Sequence, residues 1–137
     1  MKVALIAGSS RKLNEKASAE KLYSKSPLFR WALEYCKRNY DAIYILSPKY
    51  GLLALTDEVE PYEESLANKQ RLAFKEWLNQ VVEQIKKVIP EGSELFFHAG
   101  ARHRKLIPQL KEEYVCHEPM KGLAIGKQMH WYKEQLA

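Results

Sequence analysis

The sequence VALIAGSS at residues 3–10 decides the fold class of the chain. It is a short, unbroken apolar run followed by a glycine and two serines, which is typical of a buried strand that ends in a turn. Similar apolar runs predict two further strands, over residues 42–46 and 94–97. A fourth, shorter strand is expected over residues 114–117.

Segments with helical periodicity separate these strands. Ser26-Pro27 is the preferred order of residues at a helix start and predicts a helix that runs to Asn39. The strongest periodicity covers residues 66–89, where apolar side chains recur at intervals of three and four. The remaining helices are predicted over residues 102–113, with a start or a kink at Pro108, and over residues 125–136.

Strands that alternate with helices predict an α/β fold. We expect one three-layer (α/β/α), Rossmann-like domain over residues 1–137, with about four mainly parallel strands and helices on both faces. Right-handed crossovers place every strand-to-helix loop at the same edge of such a sheet, and ligands bind outside the carboxyl ends of its strands. The four loops that begin near Gly8, Ser47, His98 and Glu118 should therefore converge.

Composition narrows the class of protein. Apolar residues make up 46% and charged residues 28% of the chain, as in a globular protein, and no apolar stretch approaches the roughly 20 residues of a membrane span. The net charge of +5 favours anionic partners. Two cysteines exclude a disulfide framework, and no His/Cys ligand spacing indicates a metal. We expect no cofactor, no membrane contact and a cytoplasmic location; the oligomeric state is not indicated.

The first and second loops each allow two interpretations. Ser9, Ser10, Arg11 and Lys12 offer hydroxyl groups and cations that suit an oxyanion, although the spacing is neither that of a P-loop nor that of a dinucleotide fingerprint. An ordinary solvated turn explains them equally well. In the second loop, Lys49-Tyr50-Gly51 can present a charge and a ring to one ligand, or can simply close the end of the core.

The third loop has the densest group of polar residues in the chain. His98 and His103 are of the type that transfers protons, and Arg102 and Arg104, near Gly100, can bind a phosphate with two hydrogen bonds each. The alternative is that His98 is a hydrogen-bonded histidine at a strand end and that the arginines are solvated.

The fourth connection contains two glycines four residues apart. Gly122 and Gly126, followed by Gln128, allow the backbone to approach a ligand closely, but they equally allow close helix packing. Across the four loops the cations gather at one predicted edge of the sheet, so the site should be electropositive and its ligand a phosphate or another polyanion. These cations are Arg11, Lys12, Lys49, Arg102, Arg104, Lys105, Lys121 and Lys127.

Residues 52–65 lack clear periodicity and are rich in acids, so a long functional or mobile loop is expected there. Within it, Glu60 is held by the restricted backbone of Pro61, which suits a general base, although a solvated acidic loop is the plainer interpretation. The aromatic rings that can stack on a base are those of Tyr23, Tyr50 and Tyr62.

Several stretches of the chain resemble a poorly characterised family of small bacterial, archaeal and phage proteins associated with the peroxide-stress YaaA-like group. The matching pieces are LYSKSPLF at residues 22–29, SPKYGLL at 47–53, EPY at 60–62, AG at 99–100 with HR at 103–104, and GL at 122–123 with IG at 125–126 and Gln128. The resemblance implies a shared α/β fold with a site built from these motifs. Where that family carries a cysteine before lysines, this chain has Ser9-Ser10-Arg11-Lys12 and no thiol.

Two functions remain open from the sequence. The first is binding of a phosphate-bearing nucleotide or nucleobase, with N-glycosidic or nucleotide-modifying chemistry, towards which the resemblance also points. In it Glu60 stabilises positive charge and His98 or His103 moves a proton, while the first loop and Arg104 hold the phosphate. The second is a non-catalytic nucleic-acid-binding module whose basic edge follows the phosphate backbone and whose affinity falls steeply with salt.

Overall fold

The computed structural model describes all 137 residues. Its strands are β1 (Lys2–Ala7), β2 (Ala17–Ser18), β3 (Ala42–Ser47), β4 (Gly51–Ala54), β5 (Glu58–Val59), β6 (Glu94–His98) and β7 (Val115–His117). Its α-helices are α1 (Ala19–Leu22), α2 (Pro27–Asn39), α3 (Arg71–Val88), α4 (Ile107–Leu110) and α5 (Ile125–Leu136), and single turns of 3₁₀ helix cover Leu66–Asn68 and His103–Leu106. None of the helices combines the length and the apolar character that crossing a membrane requires.

Five strands form the central sheet, in the order β4-β3-β1-β6-β7. β3, β1, β6 and β7 are parallel, whereas β4 runs antiparallel to β3. From β1 the chain crosses first to β3 on one side, and it later returns to β6 on the other side. The direction of winding therefore reverses between β1 and β6. The predicted α/β class with a mainly parallel sheet is confirmed.

Two apolar clusters, one on each face of the sheet, make up the core. On one face Trp77, Val81 and Ile85 of α3 pack against Leu5 and Phe97 of the strands. The indole Nε1 of Trp77 also donates to the carbonyl oxygen of Ser47 at 2.9 Å.

The opposite face carries α2 and α5, which pack against each other and against the side chains of Ala4 and Ile6. Because β1 contributes buried residues to both clusters, it reads in the sequence as an unbroken apolar run. Helices cover both faces, as expected for three layers.

The prediction of one long loop over residues 52–65 is wrong in part. The segment contains most of β4, which forms a hairpin with β3, and it also contains β5, which pairs with β2. The hairpin turns over residues 48–50, and Gly51, the first residue of β4, has a φ of +76°, which lies in the left-handed region that favours glycine. A four-residue edge strand is too short to show a period of its own, and its pairing depends on contacts with a distant strand.

Three element boundaries also differ from the predictions. α3 begins at Arg71, because the residues from Leu66 to Asn68 form a separate 3₁₀ turn. The helix predicted over residues 102–113 is a 3₁₀ turn followed by the short α4, with Pro108 at its second position, where the missing N–H costs no hydrogen bond. The last strand begins one residue later than expected, at Val115.

Candidate functional site

A cavity of about 700 Å³ opens at the carboxyl ends of β1 and β6. These two strands flank the reversal of winding, which is where ligands bind in open α/β sheets. The walls come from the loops after both strands and from the first turns of α2 and α5. The lining residues are Ile6 to Arg11, Ser26 to Phe29, Ala32, Leu66, Ala67, His98 to Gly100, Arg102, His103, Ile125, Gln128, Met129 and Tyr132.

Three of the four predicted loops meet in this cavity. The first supplies Ser9, Ser10 and Arg11, the third supplies His98, Gly100, Arg102 and His103, and the fourth connection supplies Gln128. The second loop does not line it, because β3 lies on the far side of β1 from β6.

The charge of the cavity is wholly positive. Arg11 and Arg102 line it, and no aspartate or glutamate does. α5 begins at Ile125 on the cavity wall. The residue before it, Ala124, has only a methyl side chain, which cannot accept a hydrogen bond from the first turn of the helix. The free N–H groups of that first turn and the helix dipole favour a negative charge. No three His, Cys, Asp or Glu side chains of the chain come together as a metal ion would require.

Arg102 is fixed at the cavity wall by two contacts. Its guanidinium lies 3.9 Å from the ring centroid of Phe74, and Nη2 donates to the carbonyl oxygen of Lys69 at 2.9 Å. The Nε of the same group is buried without a hydrogen-bond partner. A buried donor left unpaired is costly, so this arginine is held in place with part of its hydrogen-bonding capacity unused.

His98 is a satisfied core histidine that borders the cavity. Its Nε2 lies 2.7 Å from the hydroxyl of Tyr40, and its Nδ1 lies 2.7 Å from the hydroxyl of Tyr132. The side chain is 3% exposed, and burial lowers its pKa to about 4. The ring is therefore neutral at pH 7, with one nitrogen donating to a tyrosine and the other accepting from one. Of the two interpretations of His98, the hydrogen-bonded strand-end residue agrees with this geometry.

His103 differs from His98 because its ring makes no hydrogen bond within the protein. The ring lines the cavity and meets Trp77 edge to face, with 6.0 Å between the ring centroids. Burial, with a smaller contribution from the neighbouring Arg102, lowers its pKa to about 4. A neutral imidazole with free nitrogens can accept a proton or a hydrogen bond from a bound molecule.

A second cluster lies behind the cavity wall and contains residues that were expected to bind the ligand. The hydroxyls of Tyr23 and Tyr62 are 2.6 Å apart, and Ser47 Oγ donates to that of Tyr62 at 3.0 Å. Tyr23 is fully buried and Tyr62 is 8% exposed, so the stacking role expected for these rings does not fit their burial. Burial also raises the pKa of both phenols. At Gly8, which separates the cluster from the cavity, a Cβ would lie 2.9 Å from the ring of Tyr23.

The cations of this second cluster lie against its aromatic rings. Lys12 Nζ is 4.3 Å from the ring centroid of Tyr62, and burial lowers the pKa of its ammonium group. Lys49 Nζ is 5.4 Å from the ring centroid of Tyr50. These contacts hold Lys12, Lys49 and Tyr50 beside the cavity rather than in it.

The remaining predicted residues lie away from the cavity. Glu60 is exposed and makes no ion pair, and Arg104 faces Glu118, with 3.6 Å between their charged atoms. Gly51 begins β4 directly after the turn from β3, and Gly122 adopts a φ of +79° in the turn before α5. Gly126 is exposed on α5, where a side chain would meet open space.

Sequence reasoning missed the apolar wall of the cavity. Leu28 and Phe29 of α2, together with Met129 and Tyr132 of α5, line it. Their spacing in the sequence is that of ordinary core positions on a helix, so nothing in the pattern separates them from the core. Only Ser26 carried a signal, as the N-cap of α2, where its Oγ accepts from the N–H of Phe29 at 3.2 Å.

The comparison with known families gives one result. A model described as "Family of unknown function (DUF6884)" matches residues 3–134. The chain belongs to this family. No curated protein matches it. Membership of DUF6884 confirms the expected uncharacterised domain family. The matched range covers β6 and nearly all of β1 and α5, three elements that border the cavity. The resemblance to the YaaA-like group stays a prediction.

Proposed function

We propose that the protein binds a phosphate-bearing nucleotide or nucleobase ligand in the cavity at the carboxyl ends of β1 and β6. The phosphate would lie between Arg11 and the first turn of α5. The observation that carries this proposal is the charge of the lining, which contains two arginines and a helix N-terminus but no carboxylate. Such a lining attracts anions, and it carries no negative charge to oppose them.

The apolar half of the cavity supports a ligand with a flat, apolar body. Leu28, Phe29, Ile125 and Met129 line the cavity with apolar side chains against which the face of a base can pack. The volume of about 700 Å³ falls within the range of small-ligand sites.

Chemistry on a bound nucleotide would depend on His103. Of the three residues expected to be catalytic, His103 alone combines a place in the cavity with free ring nitrogens. Glu60 is exposed outside the cavity, and both nitrogens of His98 are already hydrogen-bonded. In a nucleotide-modifying step, including attack on an N-glycosidic bond, the group that accepts a proton would therefore be His103 and not a carboxylate. The two cysteines, both free thiols, support the proposal that the protein works in the reducing cytoplasm.

Calorimetric titration at two salt concentrations tests the binding proposal. Nucleoside 5′-monophosphates, inorganic phosphate and short single-stranded DNA serve as the three classes of ligand. We expect a nucleotide to bind with an affinity that changes little with salt, because it is enclosed in one cavity. DNA affinity that grows with strand length and falls steeply with salt would instead favour the nucleic-acid-binding module.

Arg11→Ala is the variant that locates the anion. Loss of one charged hydrogen bond should weaken nucleotide binding by about 10-fold or more. Arg38→Ala is the matched control, because Arg38 is exposed on α2 and pairs only with Glu34, away from the cavity. Equal affinities for the wild type and Arg11→Ala, or equal weakening by both variants, would contradict the proposed position of the phosphate.

A further inference from the structure

Gln128 holds an unused hydrogen-bond acceptor at the cavity. The residue lies in the second turn of α5, lines the cavity and is 9% exposed. Its Nε2 donates to the carbonyl oxygen of Leu123 at 2.9 Å. Because a carbonyl oxygen can only accept, this bond fixes which end of the amide is the nitrogen. Oε1 is therefore the free end, no donor of the protein reaches it, and it is not sealed from solvent.

The oxygen of Gln128 differs in kind from the charged groups and the helix N-terminus of the cavity. Arg11, Arg102 and the first N–H groups of α5 are all donors, and they suit a phosphate, which in its dianionic form only accepts. A phosphate placed against Oε1 would be repelled, and a ligand without a donor there would leave Oε1 unpaired at a cost in affinity. A ligand that complements the whole cavity therefore carries a hydroxyl or an N–H group facing Gln128.

The position of the amide selects between a hydroxyl and an N–H group. Side chains of an α-helix lean towards its N-terminus, and the Nε2 of Gln128 reaches Leu123, which precedes the helix. The amide consequently lies level with the first turn of α5, beside the N–H groups proposed to hold the phosphate. In a nucleotide the groups close to the phosphate are the sugar hydroxyls, whereas the hydrogen-bonding edge of the base lies farther away.

We propose that Oε1 of Gln128 accepts a hydrogen bond from a sugar hydroxyl of a nucleoside phosphate, so that the site selects ribose over sugars without hydroxyls. This inference rests on the proposed function and adds the sugar to it. It assigns the phosphate to Arg11 and the start of α5, the base to the apolar wall, and the sugar to Gln128. Two independent features support it: the N-terminus of α5 at the cavity wall, and the buried amide of Gln128, whose oxygen has no hydrogen-bond partner in the protein.

Paired ligands test this assignment. The 5′-monophosphates of the four common ribonucleosides are titrated against their 2′,3′-dideoxy counterparts, with the 2′-deoxy compounds showing which hydroxyl matters. The wild type should prefer the ribose compound by about 2- to 12-fold, the range of one neutral hydrogen bond. In Gln128→Met, which has a similar length and no acceptor of that kind, the two compounds should bind equally.

Gln135→Met is the matched control, because Gln135 is exposed on the same helix and lies outside the cavity. It should keep the preference of the wild type for ribose. A purely structural role of Gln128 would lower the affinity for both compounds in parallel and leave their ratio unchanged, which would overturn the inference. Equal binding of the ribose and dideoxy compounds by the wild type would also overturn the inference, and this comparison can be made even if Gln128→Met does not fold. Failure of every nucleotide to bind the wild type would contradict the proposed function and this inference together.

Discussion

Acid should destabilise the protein through His98. The ring is buried between Tyr40 and Tyr132, and its pKa falls from 6.5 to about 4 on folding. In the unfolded chain the pKa returns to its ordinary value, so below pH 6.5 the unfolded state binds a proton that the folded state refuses. The stability supplied by the neutral ring is present above pH 6.5 and is lost as the pH falls towards 4.

The size of this effect follows from the two pKa values. Between them the free energy of unfolding changes by about 1.4 kcal/mol for each pH unit and each proton. From pH 7 to pH 5 the loss attributable to His98 is therefore about 2 kcal/mol. That is a large share of the roughly 5–15 kcal/mol that stabilises a typical domain. His103, whose pKa is also lowered to about 4, should add a loss of similar size.

Urea unfolding of the wild type and His98→Gln at pH 7, 6 and 5 measures this loss. Glutamine does not titrate and keeps a donor and an acceptor for the two tyrosines. We expect the variant to be less stable at pH 7 but to lose about 2 kcal/mol less than the wild type on going to pH 5. The same pH dependence in both proteins would refute the buried, neutral state of His98.

Two further predictions concern the core. Trp77→Phe removes the hydrogen bond to the carbonyl oxygen of Ser47 and leaves that oxygen unpaired, so the free energy of unfolding should fall by about 1–3 kcal/mol. An unchanged urea midpoint would place the indole outside the core. Burial raises the pKa of both cysteine thiols, but Cys36 is fully buried whereas Cys116 is half-buried, so the native protein should show one reactive thiol, at Cys116, when it is treated with an aromatic disulfide reagent. Rapid reaction of both thiols without denaturant would contradict the burial of Cys36.

The elements that sequence reasoning recovered are those with a strong local signal. β1 and β6 are apolar runs covered on both faces, and α3 shows a wide apolar stripe. β4 was missed because an edge strand of four residues owes its existence to pairing with β3, which no local pattern encodes. The boundary at Leu66 was misplaced because the apolar spacing continues from the 3₁₀ turn into α3.

The position of the candidate site could be predicted from the sequence, because the order and direction of the strands decide which loops meet. Parallel strands bring the loops with Arg11 and with His103 to one edge, and the structure places both in one cavity. The roles of individual side chains were not predictable, because a tyrosine that stacks on a base and one that packs in the core look alike in a sequence. Tyr23 and Tyr62 are buried in the core and hydrogen-bonded to each other, a pairing across 39 residues that only the fold creates.

Amide chemical-shift mapping tests most directly whether the cavity is the binding site. The ¹⁵N-labelled protein is titrated with the nucleoside 5′-monophosphate that binds most tightly, and the shift of each backbone amide is followed. The largest changes should fall on Ser9 and Ser10 and on the first turn of α5, from Ile125 to Lys127, because these N–H groups have no partner in the protein and would face the phosphate. Changes confined to Lys49 and Tyr50, or to any surface away from β1 and β6, would contradict the account.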